Sequence, residues 1–213
     1  VKSAGWFFHS DAVQAAGKLK VDVKKTPADY LCLSAHKIYG PKGIAAIYRS
    51  RECQITPLIC GSQEQGLRGG TEAVASIIGF GVAALVAKEE HDSRAGSVEL
   101  LRQQLESGLR REFPRGRING IGAERLPNTT SITFPGCDAD ALALILAQRG
   151  LLVSTGSACK SSAQTPSHVL LAMGVSYEDA SSTIRISLSH LNAPDEIAAL
   201  IQGLEEAVPL ASG

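Results

Sequence analysis

Three short apolar runs, "GWFFHSDAVQ", "YLCLSAHK" and "IAAIYRS", follow one another within the first fifty residues. Runs of this length, bounded by polar or Gly-Pro segments, read as buried strands, and three in succession predict part of a larger sheet. Their periodicity leaves parallel and antiparallel pairing open. A glycine-rich loop, "CGSQEQGLRGG", then leads into a long helical pattern that Thr71 and Glu72 start and Phe113-Pro114 ends. Glycines at 79, 81 and 96 are candidate points of bending or division within it. Beyond it the pattern changes to "LPNTTSITFPG" as a strand and "DADALALILAQRG" as an amphipathic helix with a glycine cap. "LLVSTG" reads as a strand running into a Ser-, Gly- and Thr-rich loop, followed by short helices in "SHVLLAMG" and "SYEDASS". The strand "TIRISLS" and a last helix with Pro194 in its first turn complete the chain. The expectation is an α/β protein whose tail half is a smaller α+β domain, with the boundary near residue 90 inside the long helix.

The chain's 213 residues suffice for one large domain or two modest ones, and 44% hydrophobic content is ordinary for a globular core. Lys plus Arg number 21 and Asp plus Glu 21, so no broad positive field of the kind nucleic-acid binders use is present. The basic run "RREFPRGR" is local and reads as a solvated turn after a helix. Five cysteines show no C-x-x-C pair and no Cys/His spacing for zinc, so no metal is expected and the thiols are read as reduced. No signal peptide heads the sequence and no apolar stretch is long enough to span a bilayer, which places the expected location in the cytoplasm. The first residue is Val1, only a few residues before a strand, so the chain reads as a piece of a longer polypeptide.

The residue that asks for an explanation is Lys37 in "LSAHKIYGPKG". An ammonium at the end of a buried strand is costly unless an anion or electrophile awaits it. If the backbone stays extended through "LSAHK", Ser34 and His36 point to one side and Lys37 to the other. Hydroxyl and imidazole then hold an anion while the amine reaches another atom of the same ligand, as Schiff-base chemistry with an aldehyde cofactor requires. A surface lysine at a strand end is the plainer alternative. Asp11 ends the first apolar run, where a carboxylate either pairs with a protonated pyridine nitrogen or caps "AVQAAG". Gln14, three residues on, is placed to bond a ring hydroxyl. Cys159 in "STGSACKSS" is either a reactive thiol in a small-residue loop or an incidental one. Arg185 in "STIRISLS" reads as a buried arginine with a carboxylate or phosphate to fork onto.

Six segments in order, "HSDAVQAAGKLKVDV", "LSAHKIYGPKGIAAIY", "GSQEQGLRGGTE", "VSTGSACKSS", "TPSHVLLAMG" and "STIRISLSH", resemble the cysteine desulfurases of the IscS/NifS type. Those are fold-type I pyridoxal phosphate enzymes of aminotransferase class V. The resemblance implies that residues 1–90 are the C-terminal part of a pyridoxal-phosphate-binding large domain with a mostly parallel sheet. Residues 91–213 are then the small domain that carries the cysteine loop. It also implies that Lys37 carries the cofactor, Asp11 partners its ring nitrogen, Gln14 lies near its ring hydroxyl, and Ser34 and His36 bind its phosphate. Thr71 would reach the phosphate of a neighbouring subunit's cofactor, so a homodimer is expected. Cys159 would form a persulfide from L-cysteine, Arg185 would bind the substrate carboxylate, and sulfur would pass to an acceptor such as an iron–sulfur scaffold. Family members carry roughly another half-domain before the position of Val1, so an N-terminal part is expected to be missing. Selenocysteine lyase, another class V activity, or a truncated docking module are the other functions this resemblance leaves open.

Overall fold

The computed structural model of the chain describes residues 4–155 and 166–212. They form two compact units, the first ending at Arg94 and the second beginning at Ala95. In the first, β1 (His9–Asp11), β2 (Tyr30–Ser34) and β3 (Ala45–Arg49) make one sheet in the order β1-β2-β3. β1 runs parallel to β2 with Asp11 opposite Cys32, and β3 runs antiparallel to β2 with Ala45 opposite Ser34. The return from β2 to β3 is tight because Gly43, at φ 81°, takes a left-handed conformation that a side chain would strain.

Strand alternation divides the sheet's two faces. Leu31, Leu33, Ala46 and Tyr48 line an apolar groove of about 740 Å³ with Ile77, Phe80 and Ala84 of α1 (Val74–Glu89). The opposite face carries His9, Asp11, Cys32 and Ser34. Trp6, Phe7, Leu58 and Val82 are exposed in this unit.

The long helical pattern differs from expectation in two ways. It starts at Val74 rather than at Thr71, and it divides at Glu90, where the backbone turns to φ −97° and ψ 8° before α2 (His91–Glu112) begins. Gly79, Gly81 and Gly96 lie inside helices. A Cβ on Gly79 would sit 2.6 Å from the Pro41 Cγ, so this glycine serves close packing rather than bending. Gly79→Ala is expected to lose about 1–2 kcal/mol, because overpacking against a rigid ring outweighs the gain in helix propensity. Gly81→Ala meets nothing within 4 Å and should instead gain about 0.5–1 kcal/mol. Urea unfolding followed by circular dichroism reads this difference in sign.

In the second unit, β4 (Arg117–Ile118), β5 (Thr129–Thr133), β6 (Ser154–Thr155) and β7 (Thr183–Ser187) form an antiparallel sheet in the order β4-β5-β7-β6. One face is apolar: Ile132, Ile184 and Ile186 pack with Leu105 and Leu109 of α2, Leu142 and Leu146 of α3 (Ala139–Gln148), and Leu204 of α6 (Pro194–Ala211). Asp138 starts α3 by accepting from the backbone N–H groups of Asp140 and Ala141. The opposite face carries Arg117, Ser131, Thr133, Thr183 and Arg185, near the short helices α4 (His168–Ala172) and α5 (Tyr177–Ser181). No helix among the described residues is long and apolar enough to cross a membrane.

Candidate active site

Parallel pairing of β1 and β2 brings their carboxyl ends to one edge of the first unit's sheet. In open α/β sheets this edge is where ligands are held, because the strand ends leave a crevice and free backbone groups. Asp11 is the last residue of β1 and is exposed; its Oδ1 accepts from the Val13 N–H at 3.0 Å. That bond replaces the helix cap considered for "AVQAAG": residues 12–19 form successive turns, and Asp11 opens the first of them as an Asx turn. Its second oxygen, Oδ2, faces no described donor.

β2 ends at Ser34, and residues 35–38 wind into a single 3₁₀ turn instead of staying extended through Lys37. The turn closes at Tyr39, whose φ of 66° lies in the left-handed region. Ser34 and His36 still share a side, since Ser34 Oγ and His36 Nδ1 lie 2.8 Å apart. Lys37 follows directly and is half-buried, and it makes no hydrogen bond or ion pair among the described residues.

Gln14 is exposed, and both its backbone oxygen and its Oε1 accept from Lys18 Nζ, at 3.0 and 3.2 Å. Lys18 is the residue that sequence reasoning missed. Burial first, and then the like charge of Lys37, push its ammonium below the ordinary lysine value. The signal was present: Lys18 lies four residues after Gln14, the spacing that stacks side chains along a helical turn. Two lysines and a hydroxyl–imidazole pair thus serve one strand edge. Thr71 stands outside this cluster as an exposed residue after Gly69 and Gly70 and three before α1.

The second unit holds Arg185 at the centre of β7, between Ser131 of β5 and Ser154 of β6. Contrary to the sequence reading, Arg185 is exposed rather than buried, and no described carboxylate pairs with it. The reason is strand alternation: Ile184 and Ile186 on either side face the core, which turns Arg185 to the polar face. It lines a recess of about 270 Å³ with Asn119, Ser131, Thr155, Ser167 and Met173. Cys159 lies outside the described residues.

A carboxylate, a hydroxyl–imidazole pair and a lysine without a partner among the described residues, all at the carboxyl edge of parallel strands in a chain that also presents an arginine-lined recess, define an α/β protein equipped to hold an anionic ligand. The aminotransferase class-V family model matches residues 1–200, and the chain belongs to that family. A cysteine desulfurase of Sinorhizobium fredii is 41% identical over 220 residues, covering 100% of this chain and 57% of that protein. The cysteine desulfurase NifS of Azotobacter vinelandii is 42% identical over 200 residues, covering 93% of this chain and 50% of that protein. Among solved structures, a NifS-like protein from Rickettsia africae is similar at a TM-score of 0.88 and 39% identity, over 97% of this chain and 54% of that one. The chain spans about half the length of the relatives it matches.

Proposed function

We propose that the chain provides the lysine-bearing and arginine-bearing parts of a pyridoxal-phosphate-dependent cysteine desulfurase, which converts L-cysteine to L-alanine and delivers the sulfur to Cys159 as a persulfide. The observation that carries this reading is the gathering of Asp11, Ser34, His36 and Lys37 at the carboxyl edge of β1 and β2. The donor set fits the cofactor: hydroxyl and imidazole suit a phosphate, a carboxylate oxygen with no described donor suits a protonated ring nitrogen, and an amine with no described partner suits an aldehyde. In this reading Gln14 serves the ring hydroxyl through its amide nitrogen, since its oxygen is held by Lys18. Thr71 serves the phosphate bound by a second copy, which makes the enzyme a homodimer.

When bound, the cofactor supplies an electron sink that stabilises negative charge at the substrate's α-carbon. Lys37 Nζ takes and returns the α-proton as general base and acid. Arg185 forks onto the substrate carboxylate with two parallel N–H bonds and fixes its orientation. Cys159 acts as thiolate, the form of cysteine that reacts, and holds the transferred sulfur. We further assign the enzyme to the cytoplasm and its sulfur to an acceptor protein of the iron–sulfur scaffold kind.

Cys159 is the residue that separates this reading from an aminotransferase, which needs no loop thiol. The test joins this chain to the segment that its relatives carry beyond it and supplies pyridoxal phosphate and L-cysteine. Cys159→Ser is expected to bind the cofactor as before and to lose persulfide and sulfide formation to the background level. Desulfuration that survives the substitution rejects the assignment.

A further inference from the structure

The direction of one hydrogen-bond chain in the second unit identifies a further group facing the Arg185 recess. Thr183 Oγ1 donates to the backbone carbonyl of Asp179 at 2.6 Å, and a carbonyl can only accept. The single hydroxyl proton of Thr183 is therefore committed. Thr133 Oγ1 lies 2.7 Å from Thr183 Oγ1, so Thr133 must be the donor in that bond. With its own proton spent, Thr133 can only accept from Asn119, whose Nδ2 lies 3.1 Å away. This fixes which way the Asn119 amide points. Turned over, it would leave two oxygens facing each other without a proton at one of these short contacts.

The same amide nitrogen reaches Ser131 Oγ at 3.2 Å, so Ser131 accepts as well. Its hydroxyl proton then remains to be donated, and no described residue accepts it. Ser131 lines the recess and pairs across the sheet with Arg185, so the two side chains share one face. Ser154 flanks Arg185 on its other side but does not line the recess. Thr183 lines it with its proton already committed.

We propose that Ser131 is a second binding residue for the carboxylate that Arg185 receives, its hydroxyl aimed at the ligand by Asn119 and Thr133. This rests on the reading of Arg185 as the carboxylate site. It adds a neutral donor beside the guanidinium, for a carboxylate lone pair that the two-bond fork of Arg185 leaves open. Asn119 and Thr133 are positioning residues, acting through the serine.

The probe is propionate, with the neutral isostere propionamide as control, titrated into the isotope-labelled chain and followed by nuclear magnetic resonance of the Asn119 side-chain amide. The wild-type chain is expected to bind propionate and not propionamide, and Arg185→Gln to lose that binding. Ser131→Ala should weaken propionate about tenfold, as expected for loss of one hydrogen bond to a charged group. Ser131→Thr, which keeps the hydroxyl, should restore it. If Arg185→Gln abolishes binding while Ser131→Ala binds as the wild type does, the role of Ser131 is overturned and the carboxylate site stands. If propionate binding is absent or indifferent to Arg185→Gln, the carboxylate reading itself falls and the role of Ser131 with it.

Discussion

In the proposed desulfurase, Lys37→Ala is expected to abolish borohydride-stable attachment of pyridoxal phosphate and to lower desulfuration by on the order of 10²–10⁴-fold, the usual worth of a positioned general acid–base. The 3₁₀ turn at residues 35–38 places this amine directly after the Ser34–His36 pair, and no described carboxylate forms an ion pair with it. Lys18 is the competing amine. Burial and the charge of Lys37 hold its ammonium below the ordinary value, which gives it more free base at neutral pH than a solvated lysine has. Its Nζ is nevertheless engaged by the two oxygens of Gln14, whereas that of Lys37 is not. Reduction with borohydride followed by peptide mass mapping, on the chain joined to its relatives' remaining segment, distinguishes the two. The label is expected on Lys37 in the wild type and to survive Lys18→Ala. A label on Lys18 in the wild type overturns the assignment.

The strands were the most legible part of the fold. "YLCLS" and "TIRIS" are short, rich in branched apolar residues and bounded by turn formers, and both are strands in the structure. Less legible were features set by what a residue meets in space. Gly79 looks like a helix breaker in sequence, yet it is the residue that lets Pro41 approach α1. The real division at Glu90 carries no glycine or proline, and the backbone there is set by the start of α2, where Glu90 pairs with Arg94. Arg185 illustrates a signal that was present but read with the wrong emphasis. Its apolar neighbours Ile184 and Ile186 suggested a buried arginine, while period-two alternation places the residue between them on the opposite face.

The candidate site was legible to a similar degree. Residue types and their order along the chain pointed to an anion and an electrophile at the end of β2, and the structure gathers Ser34 and His36 there. What sequence could not supply was the closeness of Lys18 and Lys37, which depends on how the turns of residues 12–19 fold back beside β2. The direction of the Asn119–Thr133–Thr183 chain was equally hidden, because these residues are far apart in sequence and meet only through β-sheet register.

Glu106→Ala is expected to destabilise the second unit by about 3–5 kcal/mol, the cost of breaking a buried ion network by removing one partner. Glu106 is 4% exposed and stands on α2. Its Oε1 accepts from Arg102 at 2.9 Å and from the Thr130 hydroxyl at 3.0 Å, and its Oε2 accepts from Arg125 at 2.9 Å, which ties α2 to β5 and to the segment before it. Burial pushes the carboxyl upward, but the donors Arg125, Thr130 and Arg102 together outweigh it and hold the group below the usual carboxylate range. Removing the carboxylate leaves the buried Arg102 with Glu99 alone, and leaves the Thr130 hydroxyl, 0% exposed, without its acceptor. Glu99→Ala is the contrasting substitution: its carboxylate is 35% exposed, and its loss should cost below about 1 kcal/mol. At a urea slope of about 1–3 kcal/mol per molar, Glu106→Ala should lower the unfolding midpoint followed by circular dichroism by more than about 1 M. The difference between wild type and variant also has a pH signature. Because the folded carboxyl titrates below the unfolded one, its stabilising contribution is complete above about pH 4.3 and fades as the pH falls through the lower, folded value. The two proteins should therefore differ most at neutral pH and converge in acid. A difference unchanged down to pH 2 would show that Glu106 acts through packing rather than through its charge.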